Sequence, residues 1–213
     1  NALWIRKEQD DFYARFGKKF AVIDYSAQAI SSTEARVRAA AGDDVSSLCG
    51  EAVARYIAER KLYEIENAHA ALANEKSERR EHSLRVGIAA ARKALSLGID
   101  EKKAVTAALF HDCAKNLTES SPLLQGFSFP EGVPLPVPLP VLHQFTGAYV
   151  AENSFGVYDK EILNAVRYHT SGRADMSLLE QLIFLADMVE DKREYEGAEN
   201  LRALYYAEKG GLD

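Results

Sequence analysis

The strongest constraint in this chain is an apolar run that ends in charge. Ala104-Val105-Thr106-Ala107-Ala108-Leu109-Phe110 has the composition of a helix bound for a core, yet it leads directly into His111-Asp112 and then Lys115. Burying an imidazole and a carboxylate is costly unless they bind something. In a continuing helix, positions 111 and 115 share a face, so a cation held by His111 and Asp112 would have an ammonium group beside it. The fold must bring this helix end to a place where a ligand meets a core.

The sequence around it is mostly helical. Residues 66–80 are charged and alanine-rich, and residues 81–97 carry Leu84, Val86, Ile88 and Leu95 before Gly98 supplies a stop. Asp100 is a good N-cap for the helix that holds His111-Asp112, with Asn116 as its expected terminator. All six prolines fall between Pro122 and Pro140, so that segment reads as a long extended loop. Further helices are expected over 141–153, from the cap Asp159 to His169, from a capping box at Ser177-Leu178-Leu179-Glu180 to Asp187, and over 197–208.

The first 65 residues differ. Lys19 to Tyr25 reads as a strand, Ile30 to Arg38 as a hydroxyl-rich turn entering a short helix that ends near Gly42, and 51–60 as a helix with Val53, Tyr56 and Ile57 at helical spacing. One strand cannot satisfy its own backbone. The expected fold class is therefore mainly α, a helical bundle over 66–213 preceded by a small α/β segment over 1–65.

Candidate ligands fall one to a helix: His82, the pair His111 and Asp112, His143, His169 and Asp187. Their imidazole nitrogens and carboxylate oxygens suit iron, manganese, zinc and similar cations, and six ligands are enough for two metals bridged by one carboxylate. A single histidine in an apolar helix is usually a satisfied core residue. Four, with Asp187 set in Phe184-Leu185-Ala186-Asp187-Met188, are hard to explain separately. His69 sits in a charged segment and reads as a surface residue.

Composition narrows the partners. With a net charge of −6, the 213-residue chain does not fit a general nucleic-acid or anionic-membrane binder, and 47% hydrophobic residues are ample for a core. No apolar stretch reaches membrane-spanning length. Cys49 and Cys113 lie far apart and are expected to be reduced thiols of a cytoplasmic protein.

The order His, His-Asp, His, His, Asp resembles the HD-domain metal-dependent phosphohydrolases. Residues 80–200 are similar to their symmetrical diadenosine tetraphosphate hydrolases, through Glu81 to Val86, Ala108 to Lys115, Leu142-His143 with Gly147-Ala148-Tyr149, Ile162 to Arg173, and Leu185-Ala186-Asp187. The resemblance implies an HD-domain helical bundle with two divalent or trivalent transition metals, of which iron is the first expectation. Asp112 would bridge them, His82, His111 and Asp187 would complete one site, and His143 and His169 the other. Hydroxide between the metals would attack a phosphorus of a dinucleoside polyphosphate and release two ADP. Asp112 and Lys115 would be catalytic, and Arg85, Lys115, Thr170, Arg173 and Arg193 would hold the substrate. An HD phosphohydrolase for another nucleotide (a nucleoside triphosphate or a cyclic nucleotide) and a non-catalytic nucleotide sensor are the competing readings. The expected partners are a dinucleoside polyphosphate or an ADP-like nucleotide and, among proteins, a second copy of the chain.

Residues 1–65 resemble the C-terminal end of the bacterial nicotinate mononucleotide adenylyltransferases, through Ile30-Ser31-Ser32-Thr33 with Arg36, then Val53 to Ile57 and Lys61-Leu62-Tyr63. In that family the motif helps bind ATP phosphates at a helix start. The nucleotide-binding half is absent here, so a remnant fused to the hydrolase is implied, and the parent protein would be bifunctional if an upstream half exists.

Overall fold

The computed structural model describes residues 2–21 and 31–207. The chain divides into a first unit ending at Ile30 and a second beginning at Ser31. The first contains α1 (Ala2–Phe16), a helix not expected from the sequence. Within this unit Gln9 Nε2 donates to Phe20 O at 3.1 Å, and Phe12 packs on Phe16 and Phe20. No strand occurs among the described residues, so the expected α/β segment is not seen; most of the strand expected over 19–25 lies outside them.

The second unit is a helical bundle. Its elements are α2 (Ser32–Ala40), α3 (Ser46–Cys49), α4 (Glu51–Glu59), α5 (Ala68–Leu72), α6 (Ser77–Ala94), α7 (Glu101–Phe110), α8 (Leu139–Phe155), α9 (Lys160–Tyr168), α10 (Leu178–Val189) and α11 (Ala198–Tyr206). Three of the caps read from sequence are formed: the side chains of Asp100, Asp159 and Ser177 accept from Lys103 N, Glu161 N and Glu180 N. Helix α6 lies along α7, α10 and α2, while α9 packs against α7, α8 and α10. Leu84, Leu109, Phe110, Leu182 and Ile183 are fully buried between them. Each such side chain contributes about 1.5–3 kcal/mol by leaving water.

The proline segment makes a helical turn at Pro122–Leu124 and another turn closed by Val133 N–H on Pro130 O at 3.3 Å, and Pro140 sits in the first turn of α8, where its missing N–H is harmless. Tyr149 fastens this segment to α8 by donating to Gln125 O at 2.7 Å, and Phe127 and Phe129 pack edge-on against Tyr149 and Phe145. At the far end, Tyr205 donates to Ala89 O at 3.0 Å and the buried Lys93 ammonium donates to Ala207 O at 3.2 Å, which docks α11 on α6.

Residues 31–65 share this core. Val37 is fully buried, Ile65 N–H donates to Ala40 O, and Arg38 binds Glu34, Asp43 and Glu81, the last of these beside His82. Close approach of α2 to α6 requires Gly87, because a Cβ there would lie 3.0 Å from Val37 Cγ1. Gly87→Val should lower stability by about 1–3 kcal/mol through overpacking, and Val37→Ala should restore part of that loss. Denaturant unfolding of both single variants and the double variant checks this; strictly additive losses would show that the two helices do not meet there.

Candidate metal centre

Helix α7 ends at Phe110, five residues short of the turn expected from sequence, and His111 is its C-terminal cap. A helix end leaves its last carbonyls without partners. Here the His111 ring supplies one, with Nδ1 2.6 Å from Ala108 O. Helix α9 ends in the same way: His169 follows Tyr168, and its Nδ1 lies 2.7 Å from Val166 O. In both rings the proton is required on Nδ1 by a carbonyl that can only accept. Nε2 of each is left as a lone pair.

The Nε2 atoms converge. His143 Nε2 lies 3.0 Å from His169 Nε2, and both approach Asp112 Oδ1, at 3.1 and 3.5 Å. His111 Nε2 is 3.6 Å from Asp112 Oδ2, and His82 Nε2 is 2.8 Å from Asp187 Oδ1. His143 reaches this point from α8 because Gly147, one turn later, passes close to the α7 terminus: a Cβ at Gly147 would lie 3.4 Å from His111 O. Three sets of side chains bring ligand atoms within 4.8 Å of one another: His82, His111 and Asp112; His111, His169 and Asp187; and Asp112, His143 and His169. Asp112 belongs to two of them.

Buried His111 Nε2 and Asp112 Oδ1 have no hydrogen-bond partner among the described residues. Leaving such groups unpaired is expensive, and a metal cation satisfies both. Charge favours the same occupant. Burial alone would raise the Asp112 carboxyl, but His111, then His143 and His169, outweigh it and hold it well below the usual carboxylate range. Burial opposes ionisation of Asp187 too, and the hydrogen bond from His82, with His111, His169 and Arg193, overcomes it. Burial pulls His111 down to about 4 and also lowers His143, so both rings are neutral near pH 7. His82 is raised: burial resists, but Asp187 and Glu190 prevail. Anionic carboxylates beside neutral His111 and His143 are the protonation states that metal binding needs, and a cation at His82 would displace a proton.

All six expected ligands are thus brought together. Lys115 is adjacent, with Nζ 2.9 Å from His143 Nε2 and 3.9 Å from Asp112 Oδ1, although a turn rather than a continuous helix carries it there. Thr170 Oγ1 is 3.1 Å from His143 Nε2. Arg193 binds Asp187 through both its side chain and its backbone oxygen. Arg173 is taken up by the buried Glu180, with bonds of 2.7 and 2.8 Å, and its guanidinium lies over Tyr168. Glu180 therefore does not complete the capping box expected at Ser177. Arg85 is held by Glu190, with Nε 2.5 Å from Oε2.

Three residues were not singled out from sequence. Arg79 Nη1 donates to Asp112 Oδ2 at 3.0 Å; its signal is the i, i+3 spacing to His82. Gln144, beside His143, receives Thr170 N–H and Ser171 N–H on Oε1 and so fixes the loop after His169. Glu190, three residues after Asp187, is buried beneath His82. A pocket of about 650 Å3 opens against the cluster, lined by Arg79, His82, Arg85, Lys192, Arg193 and Tyr195 among others.

Comparison with known proteins agrees with this geometry. The HD domain family matches residues 79–191. A symmetrical bis(5'-nucleosyl)-tetraphosphatase of Halalkalibacterium halodurans is 38% identical over 126 residues, 58% of this chain and 67% of that protein. A probable nicotinate-nucleotide adenylyltransferase/Ap4A hydrolase of Mycoplasma genitalium is 36% identical over 151 residues, 68% of this chain but 40% of that longer protein. Among solved structures, a predicted HD superfamily hydrolase involved in NAD metabolism from Clostridium acetobutylicum superposes with a TM-score of 0.57 at 32% identity, over 68% of this chain and 76% of that one.

One buried group near the cluster gives a pH signature. Glu75 is 9% exposed, Ser83 Oγ donates to its Oε2 at 2.9 Å, and burial pushes its carboxyl from 4.5 up to about 8. A raised carboxyl stabilises the fold fully below pH 4.5, and that contribution is lost as pH rises through about 8. Relative to Glu75→Gln, the wild type should lose up to about 1.4 kcal/mol of stability per pH unit across that window. Thermal unfolding of the two proteins at intervals through the window checks this, and parallel curves would contradict it.

Proposed function

This chain belongs to the HD-domain family, among its symmetrical bis(5'-nucleosyl)-tetraphosphatases, and is a metal-dependent hydrolase of diadenosine tetraphosphate; from that membership we propose that it uses two cations joined by Asp112. His82, His111 and Asp187 would complete one site, and His143 and His169 the other. The observation that carries this reading is the convergence of imidazole Nε2 atoms on a carboxylate whose Oδ1 has no hydrogen-bond partner among the described residues. Nitrogen and oxygen ligands without thiolate suit iron, which we take as the resident metal. When bound, such cations acidify water enough to supply a nucleophile at neutral pH.

The remaining work falls to side chains of this chain. Splitting a tetraphosphate in the middle requires that the attacked phosphorus sit at the cluster while nucleotide extends to either side. The pocket beside His82 offers space for one such extension, and its Arg79, Lys192 and Arg193 supply positive charge for phosphate oxygens. Lys115, partly buried at the metal cluster, is placed to hold a phosphate oxygen and offset charge that develops as the bond breaks. Thr170, held by Gln144, offers a hydroxyl on the same side as His143. The net charge of −6 does not oppose an anionic substrate, because the cations and these side chains provide the attraction locally.

We further propose that residues 1–65 correspond to the C-terminal end of an adenylyltransferase half and 66–213 to the hydrolase. The two-activity name and greater length of the Mycoplasma genitalium relative support this division. Packing does not follow it, since compaction with the hydrolase begins at Ser31.

Metal-loaded protein should convert diadenosine tetraphosphate to ADP alone, as resolved by ion-exchange chromatography; AMP with ATP, or no turnover, would refute the proposal. Chelation should abolish the reaction and iron should restore it. Asp112→Ala should lose bound metal by elemental analysis and more than about 100-fold in activity. Lys115→Ala should retain metal while losing about 10²–10³-fold in kcat.

A further inference from the structure

Glu190 stands where α10 unwinds, three residues beyond Asp187, and its carboxylate is 2% exposed. Its two oxygens face different groups. Oε1 lies 3.2 Å from His82 Nδ1, while Oε2 receives Arg85 Nε–H at 2.5 Å and Lys192 N–H at 2.9 Å. The backbone at this point is also held: Arg202, on α11, donates to Val189 O at 2.8 Å and to Glu190 O at 2.9 Å. Helices α6 and α10 thus meet on one carboxylate, with α11 holding the backbone that carries it, and toward the cluster that carboxylate faces the Nδ1 side of His82.

That arrangement resolves a difference among the histidines. His111 and His169 have their Nδ1 protons fixed by carbonyls of their own helices, three residues back. His82 lies inside α6, where the carbonyl three residues back belongs to the helical ladder, so its ring needs an acceptor from elsewhere. Glu190 supplies it, 108 residues away in sequence. Nε2 itself lies 2.8 Å from Asp187 Oδ1; where a cation takes the place of a proton on Nε2, an acceptor on Nδ1 holds the other proton there, leaves Nε2 as the ligand atom, and increases the basicity of the ring.

We propose that Glu190 is a positioning residue for metal binding by His82, and that Arg85 acts with it by locking Oε2 rather than by gripping substrate phosphate. This rests on the reading of His82 as a metal ligand. The glutamine variant sharpens the point. With Arg85 Nε–H and Lys192 N–H both directed at the Oε2 position, the amide oxygen of Glu190→Gln is drawn there, and its NH2 group then faces His82 Nδ1. A donor in that place requires Nδ1 to accept, which moves the ring proton to Nε2 and removes the ligand lone pair.

The test is the Zn2+ dissociation constant of the full chain, measured by competition with a chromogenic chelator, together with KM and kcat at saturating metal. Glu190→Gln should bind Zn2+ about 10- to 100-fold more weakly than wild type, with an unchanged circular dichroism melt in chelator. In the zinc-loaded wild type, the 15N spectrum should show His82 protonated at Nδ1. Arg85→Gln, which leaves Glu190 in place, should weaken Zn2+ binding several-fold with KM unchanged once metal is saturating. Wild-type Zn2+ affinity in Glu190→Gln would overturn the inference, as would a raised KM with unchanged Zn2+ affinity in Arg85→Gln. Wild-type protein that binds no metal at all would instead refute the functional reading on which it rests.

Discussion

Two ring protons, on Nδ1 of His111 and Nδ1 of His169, close the carbonyl ends of α7 and α9, and the proposed metal centre is built on those bonds. A buried carbonyl left without a partner costs about 1–3 kcal/mol. Placing a histidine at the helix end removes that cost and settles the tautomer in one step, so that terminating the helix and preparing the ligand are the same event. Because the accepting carbonyl is part of a rigid element, Nε2 points into the core with little freedom to do otherwise. Nothing comparable is available to a histidine in a helix interior, which is why His82 needs Glu190 and why α11, remote from the cluster, bears on it through Arg202.

Electrostatics then decides what occupies the space. Asp112 and Asp187 are nearly buried, yet both carboxyls are held below the usual range, with the Arg79 guanidinium on Asp112 and that of Arg193 on Asp187, while burial pulls His111 and His143 down. Arg79, Lys115 and Arg193 bring positive charge to the rim, where it can serve an anionic polyphosphate without displacing the carboxylates from their ligand state. The close approach of α8 at Gly147 brings His143 to the same point.

Much of this was legible in the sequence where the chemistry is local. Asp100, Asp159 and Ser177 cap their helices as their side chains dictate, and the ligand set stands out because histidine and aspartate interrupt apolar runs. The end of α7 at Phe110 was not legible, since composition alone favours continuation to Asn116 and only the buried ring explains the stop. Glu190, Gln144 and Arg79 escaped notice because their partners lie 26 to 108 residues away, and a lone polar residue carries no sign of a distant acceptor. Arg85 and Arg173 read as free for substrate, while the fold commits Arg85 to Glu190, 105 residues away, and Arg173 to Glu180 in the first turn of α10. Helix α1 has no acidic residue in its first turn, so one usual start signal is missing. The boundary at residue 65 followed motif resemblance, whereas packing follows buried surface and begins at Ser31.

The central claim is that Asp112 joins two cations held by the Nε2 atoms of these histidines. Crystals of the iron-loaded protein, measured on either side of the iron absorption edge, test it most directly. Two anomalous peaks with one Asp112 oxygen on each, and Nε2 of His82, His111, His143 and His169 as ligands, are the predicted result. A single peak, or two peaks with Asp112 outside the coordination sphere of either, would contradict it.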